Sequence, residues 1–273
     1  MTVRRLPLTP LFVAVPLATV AVFALTSQWL VPDAARQDIL TGVTAPGTPG
    51  HLFGTDQNGR DIASLAIAGA RSALAGPLVI AFGSMLIGLL LGTLAGYRGG
   101  WVDLMLSKYA DLLLALPTTL IALVIAGVVD GGYWVTVAVL MMLFSPTDIR
   151  MVRGAVIAQA SRPYVESARA LGLSHRRIMF RHIVPNVMPV AVTTMLLNIA
   201  FALVSMSALS FLGLGVGPGE PDWGRQLSDA RDLIGRNWGS AVVPGVLIIV
   251  TASSINLLGD WLQERFEQRG RGR

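Results

Sequence analysis

Groups that could act as nucleophiles, bases or metal ligands are scarce in this chain, and their spacing excludes most chemistry. There is no cysteine, which removes disulfides, thiolate nucleophiles and cysteine-based metal sites together. The three histidines, His51, His175 and His182, are scattered, so no protein-ligated metal is indicated. The only lysine, Lys108, follows Ser107, whereas a Walker A loop needs Gly-Lys-Ser/Thr. Neither a Gly-x-Ser-x-Gly elbow nor a His-Glu-x-x-His pair occurs. The chain is therefore expected not to be an enzyme, and any ATP hydrolysis must come from another polypeptide.

One stretch is dense in ionisable groups. "YVESARALGLSHRRIMFRHIVPN", Tyr164 to Asn186, holds four arginines, two histidines and one glutamate. Pro163 suits the first turn of a helix. Tyr164, Ala168 and Leu171 follow on one face, and Gly172 can end the helix in the left-handed conformation. Ser174 is a cap for a second, basic helix that runs to about Val184 before Pro185 ends it. One reading is a solvated loop whose arginines only fix topology, with Glu166 and Arg169 as an i,i+3 pair. The other is a cytoplasmic helix that enters a groove on a partner. From these residues alone the two are evenly matched.

The elements that hold this stretch are membrane spans. Of the 273 residues, 53% are hydrophobic and 14% charged, and mean hydropathy is +0.63; soluble domains carry nearly twice that charge. Six apolar stretches are long enough to cross a bilayer, at about 11–32, 76–97, 110–129, 133–149, 187–212 and 239–262. The first exceeds a signal peptide's apolar region and reads as an uncleaved anchor. The fourth is short and ends at Asp148 and Arg150. With both termini in the cytoplasm, 15 of the 21 basic residues fall inside, among them Arg4, Arg5, Arg98, Arg150, Arg153, Arg269, Arg271 and Arg273, as the positive-inside rule requires. The basic stretch is then cytoplasmic. The high pI, near 10.4, follows from this topology and does not indicate a nucleic-acid partner.

Within the second span Ser84, Gly88, Gly92 and Gly96 recur every four residues, a small-residue face for close packing inside the subunit. Pro117 and Pro189 lie inside spans and mark kinks or hinges. Asp111 is the main carboxylate within a span, and this scarcity counts against a proton-driven carrier. The segment 213–238 holds too many glycines and prolines to span. Asp222 is placed to cap a short amphipathic helix through Trp223, Leu227, Ala230 and Ile234, with Gly235 as its stop. Thr193, Thr194, Asn198, Ser205, Ser253 and Asn256 are polar span residues. Each is a candidate to line a path, although bonding between helices inside the subunit is the commoner use of such groups.

Glu166, Ala168, Gly172 and Pro185 resemble the "EAA" loop of permease subunits in bacterial ABC importers, with Ser167 replacing the middle alanine and Val184 a leucine. "HLFGTDQNGRDIASLAIAGARSAL", "GGWVDLMLSKYADLLLALPTTLIALVI" and "ALSFLGLGVGPGEPDWGRQLSDARD" resemble the dipeptide/oligopeptide/nickel importer family, in particular its "C" type permease. The likeness covers about residues 50–262. It implies an all-α polytopic fold of six spans, with residues 1–75 as anchor and extracytoplasmic segment and 76–273 as the permease core. The core would carry a coupling loop at about 150–187 and an extracytoplasmic loop at about 213–238. It implies a bacterial plasma-membrane protein whose partners are a "B" type permease, two ABC ATPase subunits that bind ATP and magnesium, and an extracytoplasmic binding protein. This chain would bind no cofactor itself. Tyr164, Glu166, Ser167, Ala168, Leu171, Gly172 and Pro185 would form the ATPase-coupling site, with Glu166 making a polar contact and Ala168 allowing close approach. The competing expectation is a self-contained secondary transporter or channel whose basic loop only sets topology.

Overall fold

The computed structural model describes residues 8–129 and 131–271. Arg4, Arg5 and Arg273 of the topology argument lie outside them, and the side chains of Arg269 and Arg271 are likewise not described. The described residues contain helices and loops but no strand. The helices are α1 (Leu8–Leu30), α2 (Ile62–Arg98), α3 (Gly100–Leu114), α4 (Thr118–Val129), α5 (Gly132–Ala160), α6 (Pro163–Ala170), α7 (His175–Arg177), α8 (Val184–Phe211), α9 (Trp223–Asp229) and α10 (Gly239–Arg271). A π-helical segment, Ile178–Ile183, joins α7 to α8, and a 3-10 turn, Ala230–Asp232, follows α9.

Among the described residues five helices are long and apolar enough to cross a membrane, and six spans result if α3 and α4 together make one. That pair is bent by 83°, so the expected third span, 110–129, is two helices. Pro117 sits at the break, where its carbonyl accepts from Leu120 and Ile121 and so starts α4. A proline cannot continue the preceding helix without losing a hydrogen bond.

Three expected boundaries move for one reason. α2 begins at Ile62 rather than near 76, α5 runs to Ala160 rather than ending near 150, and α8 continues backwards into the basic stretch. At about 1.5 Å per residue, α2, with 37 residues, is roughly 55 Å long against a hydrocarbon layer of about 30 Å. Hydropathy marks the lipid-facing part of such a helix and not its ends.

The chain folds as two compact units that interleave in sequence: residues 1–78, 126–137 and 199–258 in the first, and 79–125, 138–198 and 259–273 in the second. In the first unit, Trp223 is almost wholly buried and its Nε1 donates to the Ala66 carbonyl at 2.8 Å. Asp222 caps α9 by accepting from the Arg225 N–H. The helix gives way to a 3-10 turn at Ala230, before Gly235. This tightening turns Leu233 inward in place of Ile234, which is exposed. Arg60 is buried and donates to Asp56 at 2.7 Å and to the Gly219 carbonyl at 3.1 Å. The Asn237 amide donates to the carbonyls of Thr44, Phe53 and Thr55. These bonds tie 42–60 to 219–239.

The second unit contains α6 and the helices around it. Gly88, Gly92 and Gly96 lie against α5 so closely that an added Cβ would meet Asp148 Cβ at 2.5 Å, Ile149 O at 2.7 Å and Arg153 O at 2.7 Å respectively. The four-residue spacing of small side chains is what lets α2 and α5 approach here. Arg150 pairs with Asp111 at 2.5 Å, and Arg153 pairs with Asp103, which ties α3 to α5. Asp111 is accordingly a half-exposed surface partner. Asp148 is buried; it lies inside α5 and does not mark its end.

Candidate functional site

The site starts at Arg162, which is extended (φ −82°, ψ 147°) because the residue before a proline avoids helical angles. Pro163 then opens α6 at a position where its missing N–H costs nothing. Glu166 stands in the first turn, near the positive end of the helix dipole. The Ser167 hydroxyl donates back to the Pro163 carbonyl at 3.0 Å. α6 ends in a Schellman motif: Gly172 N–H donates to Arg169 O at 2.9 Å and Leu173 N–H to Ala168 O at 3.2 Å. Gly172 has φ +73°, the left-handed conformation that glycine adopts without strain. Ser174 caps the next turn through its hydroxyl, which accepts from the Arg177 N–H.

One face of α6 is fixed to the subunit. Val165 is 0% and Ala168 5% exposed, and they pack with Val152 and Val156 of α5, Met85 of α2, Ile178 and Ile183, and Val187 and Ala191 of α8. Tyr97, near the end of α2, holds the far side of the turn. Its hydroxyl meets His175 Nδ1 at 2.9 Å, and the Arg169 guanidinium lies 5.3 Å from its ring centre. Arg169 thus stacks on Tyr97 instead of pairing with Glu166. The Tyr164 hydroxyl donates to Gln159 at 3.0 Å and accepts from Asn186 at 3.4 Å.

The structure separates the three residues expected on one face. Ala168 faces the core, so its small size serves packing within the chain. Tyr164 is partly exposed, and Leu171 is 80% exposed. The inward stripe is Val165 with Ala168, an i,i+3 apolar pair present in the sequence and not centred on Tyr164. Glu166, Ser167, Ala170 and Leu171 form the outward side, continued by Arg176, Arg177 and Arg181. The Tyr97 contacts carry no local sequence signal, because His175 lies 78 residues away.

Pro185 does not end the basic helix. The chain passes from α7 through the π-helical turn directly into α8, with Val184 N–H bonded to Met179 O, five residues back. The Asn186 amide donates to the His182 carbonyl at 2.7 Å, one of the acceptors near the proline. The wider turn fits a residue that offers no N–H and crowds the preceding turn. The helix therefore continues through Pro185 without a break.

Of the polar span residues, Thr193 bonds the carbonyls of Pro189 and Val190 within its own helix. Thr194 is buried, and Asn198 donates to Asp148. Ser205 and Asn256 are half-buried and Ser253 is exposed.

Three comparisons bear on this geometry. Residues 88–272 match the family described as "Binding-protein-dependent transport system inner membrane component". The chain is 35% identical over 254 residues to the di/tripeptide transport system permease protein DppC of Pseudomonas aeruginosa (90% of this chain, 83% of that one). It is 34% identical over 248 residues to the glutathione transport system permease protein GsiD of Pectobacterium atrosepticum (90% and 82%). Among solved structures, the inward-facing MetNI methionine ABC transporter matches with a TM-score of 0.58 at 21% identity, over 74% of this chain and 95% of that one. This last likeness is one of fold.

Proposed function

The chain belongs to the family of binding-protein-dependent transport system inner membrane components, and we propose that it serves as one permease subunit of an ATP-driven importer of short peptides. It is a multi-pass membrane protein. The named relatives carry di- and tripeptides or glutathione, itself a tripeptide, and this supports the substrate class. The family match over 88–272 supports reading 76–273 as the permease core. A second permease, two ATPase subunits and an extracytoplasmic binding protein complete the assembly. Both termini and the 150–187 loop lie on the cytoplasmic side.

The observation that carries this reading is the construction of α6. Its inner face is fixed by Val165 and Ala168, while Glu166, Ser167 and Leu171 are presented outward on a short helix with a rigid end. A self-packed loop would bury Leu171. A helix that must transmit movement needs both a docking face and a firm attachment. ATP binding closes the ATPase pair, and α6, seated in a cleft of one ATPase subunit, moves with it as a rigid body. Glu166 supplies the polar contact and Leu171 the apolar one, Gly172 permits the sharp turn, and Tyr164 braces α6 against α5 and α8. ATP and magnesium are held by the ATPase subunits. Thr193, Thr194, Ser205, Ser253 and Asn256 are candidates to line the path.

The test is to purify the protein through a C-terminal tag from its native membrane in mild detergent and identify what accompanies it. A second permease and two P-loop ATPases, with ATP hydrolysis in the eluate, are expected. A Ser167→Cys crosslink, free of background from this cysteine-less chain, should then join α6 to an ATPase subunit. Recovery of this chain alone as a stable oligomer would overturn the reading in favour of a carrier or channel.

A further inference from the structure

Asp148 is 0% exposed inside α5, where a carboxylate is costly. One of its oxygens accepts from the Asn198 amide of α8 at 2.8 Å. The other takes no hydrogen bond among the described residues. α2 packs against the Cβ and backbone of Asp148 at Gly88. The nearest cations on α5, Arg150 and Arg153, are committed to Asp111 and Asp103 of α3. Among the described residues no ion pair is made to this carboxylate, so its tie to α8 is the Asn198 amide. What joins Asp148 to α8 is the acceptor oxygen that takes that amide.

We propose that Asp148 and Asn198 are positioning residues that lock α5 to α8 in one register, so that movement of α6 reaches the middle of the spans undiminished. This rests on the coupling role of α6 proposed above. The loop sits between these two helices: α5 leads into it at Ala160 and α8 leaves it at Val184. At the loop end they are held by apolar packing of Val152, Val156, Ile183 and Val187. Apolar packing between helices in lipid is weakly directional, and neighbouring helices can shift or ratchet along one another. A hydrogen bond across hydrocarbon does fix register. From Asp148 to Ala160 is about 18 Å of helix, and from Asn198 to Val184 about 21 Å. The polar tie and the apolar packing nearer the loop, about 6–12 Å apart along α5 and about 17 Å along α8, turn a hairpin into a lever.

The experiment reconstitutes the complete transporter, purified with its partner subunits, in proteoliposomes and measures labelled dipeptide uptake per ATP hydrolysed. Asp148→Asn keeps an acceptor oxygen of the same shape and should hold that ratio within about twofold of wild type, while Asp148→Leu should lower it about fivefold or more, with ATP hydrolysis and subunit assembly retained. Should Asp148→Leu fail to assemble, Asp148→Ser, too short to reach Asn198, replaces it with the same expectation. Gly172→Val serves as the control on the loop itself. Normal coupling in Asp148→Leu or Asp148→Ser, alongside loss in Gly172→Val, overturns the lock and leaves the loop's role standing. Loss in Asp148→Asn equal to that in Asp148→Leu also overturns it, since a shape-conserving acceptor would then not suffice. Normal coupling in all variants, Gly172→Val included, overturns the coupling reading and the lock with it.

Discussion

Replacing Gly172 by Val should uncouple uptake from ATP hydrolysis while the protein stays in the membrane at normal amounts. An added Cβ at Gly172 would meet no heavy atom within 4 Å, so the effect owes nothing to a clash. The cost is torsional. At φ +73° an L residue pays about 1–2 kcal/mol, and a β-branched one stands at the upper end. If the backbone leaves that conformation instead, it forfeits the bonds from Gly172 to Arg169 and from Leu173 to Ala168, each worth about 1 kcal/mol. Either route biases the turn by about 1–2 kcal/mol, which shifts the population of the ordered turn by roughly 5- to 30-fold. The fold itself loses nothing buried. A graded series makes the reasoning strict: uptake should fall in the order Gly, Asn, Ala, Val, because Asn tolerates the left-handed region best among L residues. The assay is peptide uptake in cells carrying all subunits, normalised to the amount of this chain in the membrane, with ATP hydrolysis measured on the purified complex. Wild-type uptake in Gly172→Val, or equal loss in Gly172→Asn and Gly172→Val, would refute the torsional account.

Leu171→Asp should leave thermal stability unchanged, since Leu171 is 80% exposed, yet weaken retention of the ATPase subunits by about tenfold in a pull-down if it fills their cleft. Gly92→Leu should act in the opposite way: its Cβ would press on Ile149 O at 2.7 Å and Val152 Cβ at 2.9 Å, costing about 3 kcal/mol or more and lowering the unfolding midpoint of the purified protein. Asn237→Ala releases the carbonyls of Thr44, Phe53 and Thr55, at about 1–3 kcal/mol. Limited proteolysis should then cut the 42–55 segment faster, with the spans intact.

Hydropathy made the spans legible because lipid demands long apolar runs, and the glycine spacing at 88, 92 and 96 was legible because close helix contact demands small residues at one angle. Helix ends were not, since a helix leaving the bilayer keeps its own hydrogen bonds whether its side chains are polar or apolar. At the loop, the turn chemistry of Pro163, Gly172 and Ser174 is local and could be read residue by residue. Which face of α6 turns inward could not, because it is decided by Val156, Ile178 and Val187 arriving from three other segments. Pro185 misled for a related reason: a proline stops an α-helix, but a π-helical turn lets the chain through. Asp148 looked like the end of a span, and nothing near it in sequence announces Asn198, 50 residues later.

The bonds that close the first unit also set an order of assembly. Arg60 reaches Gly219 across 159 residues, and Asn237 reaches Thr44 across 193. At about 5–20 residues per second, the ribosome needs roughly 10–40 s to supply those late partners. The early segment must therefore wait through the synthesis and insertion of most of the later spans. During that delay Arg60 is not left with a bare charge, because Asp56, four residues before it, already satisfies it at 2.6 Å. The local ion pair holds the first half ready, and the segment carrying Gly219 and Asn237, just before the last helix, seals it.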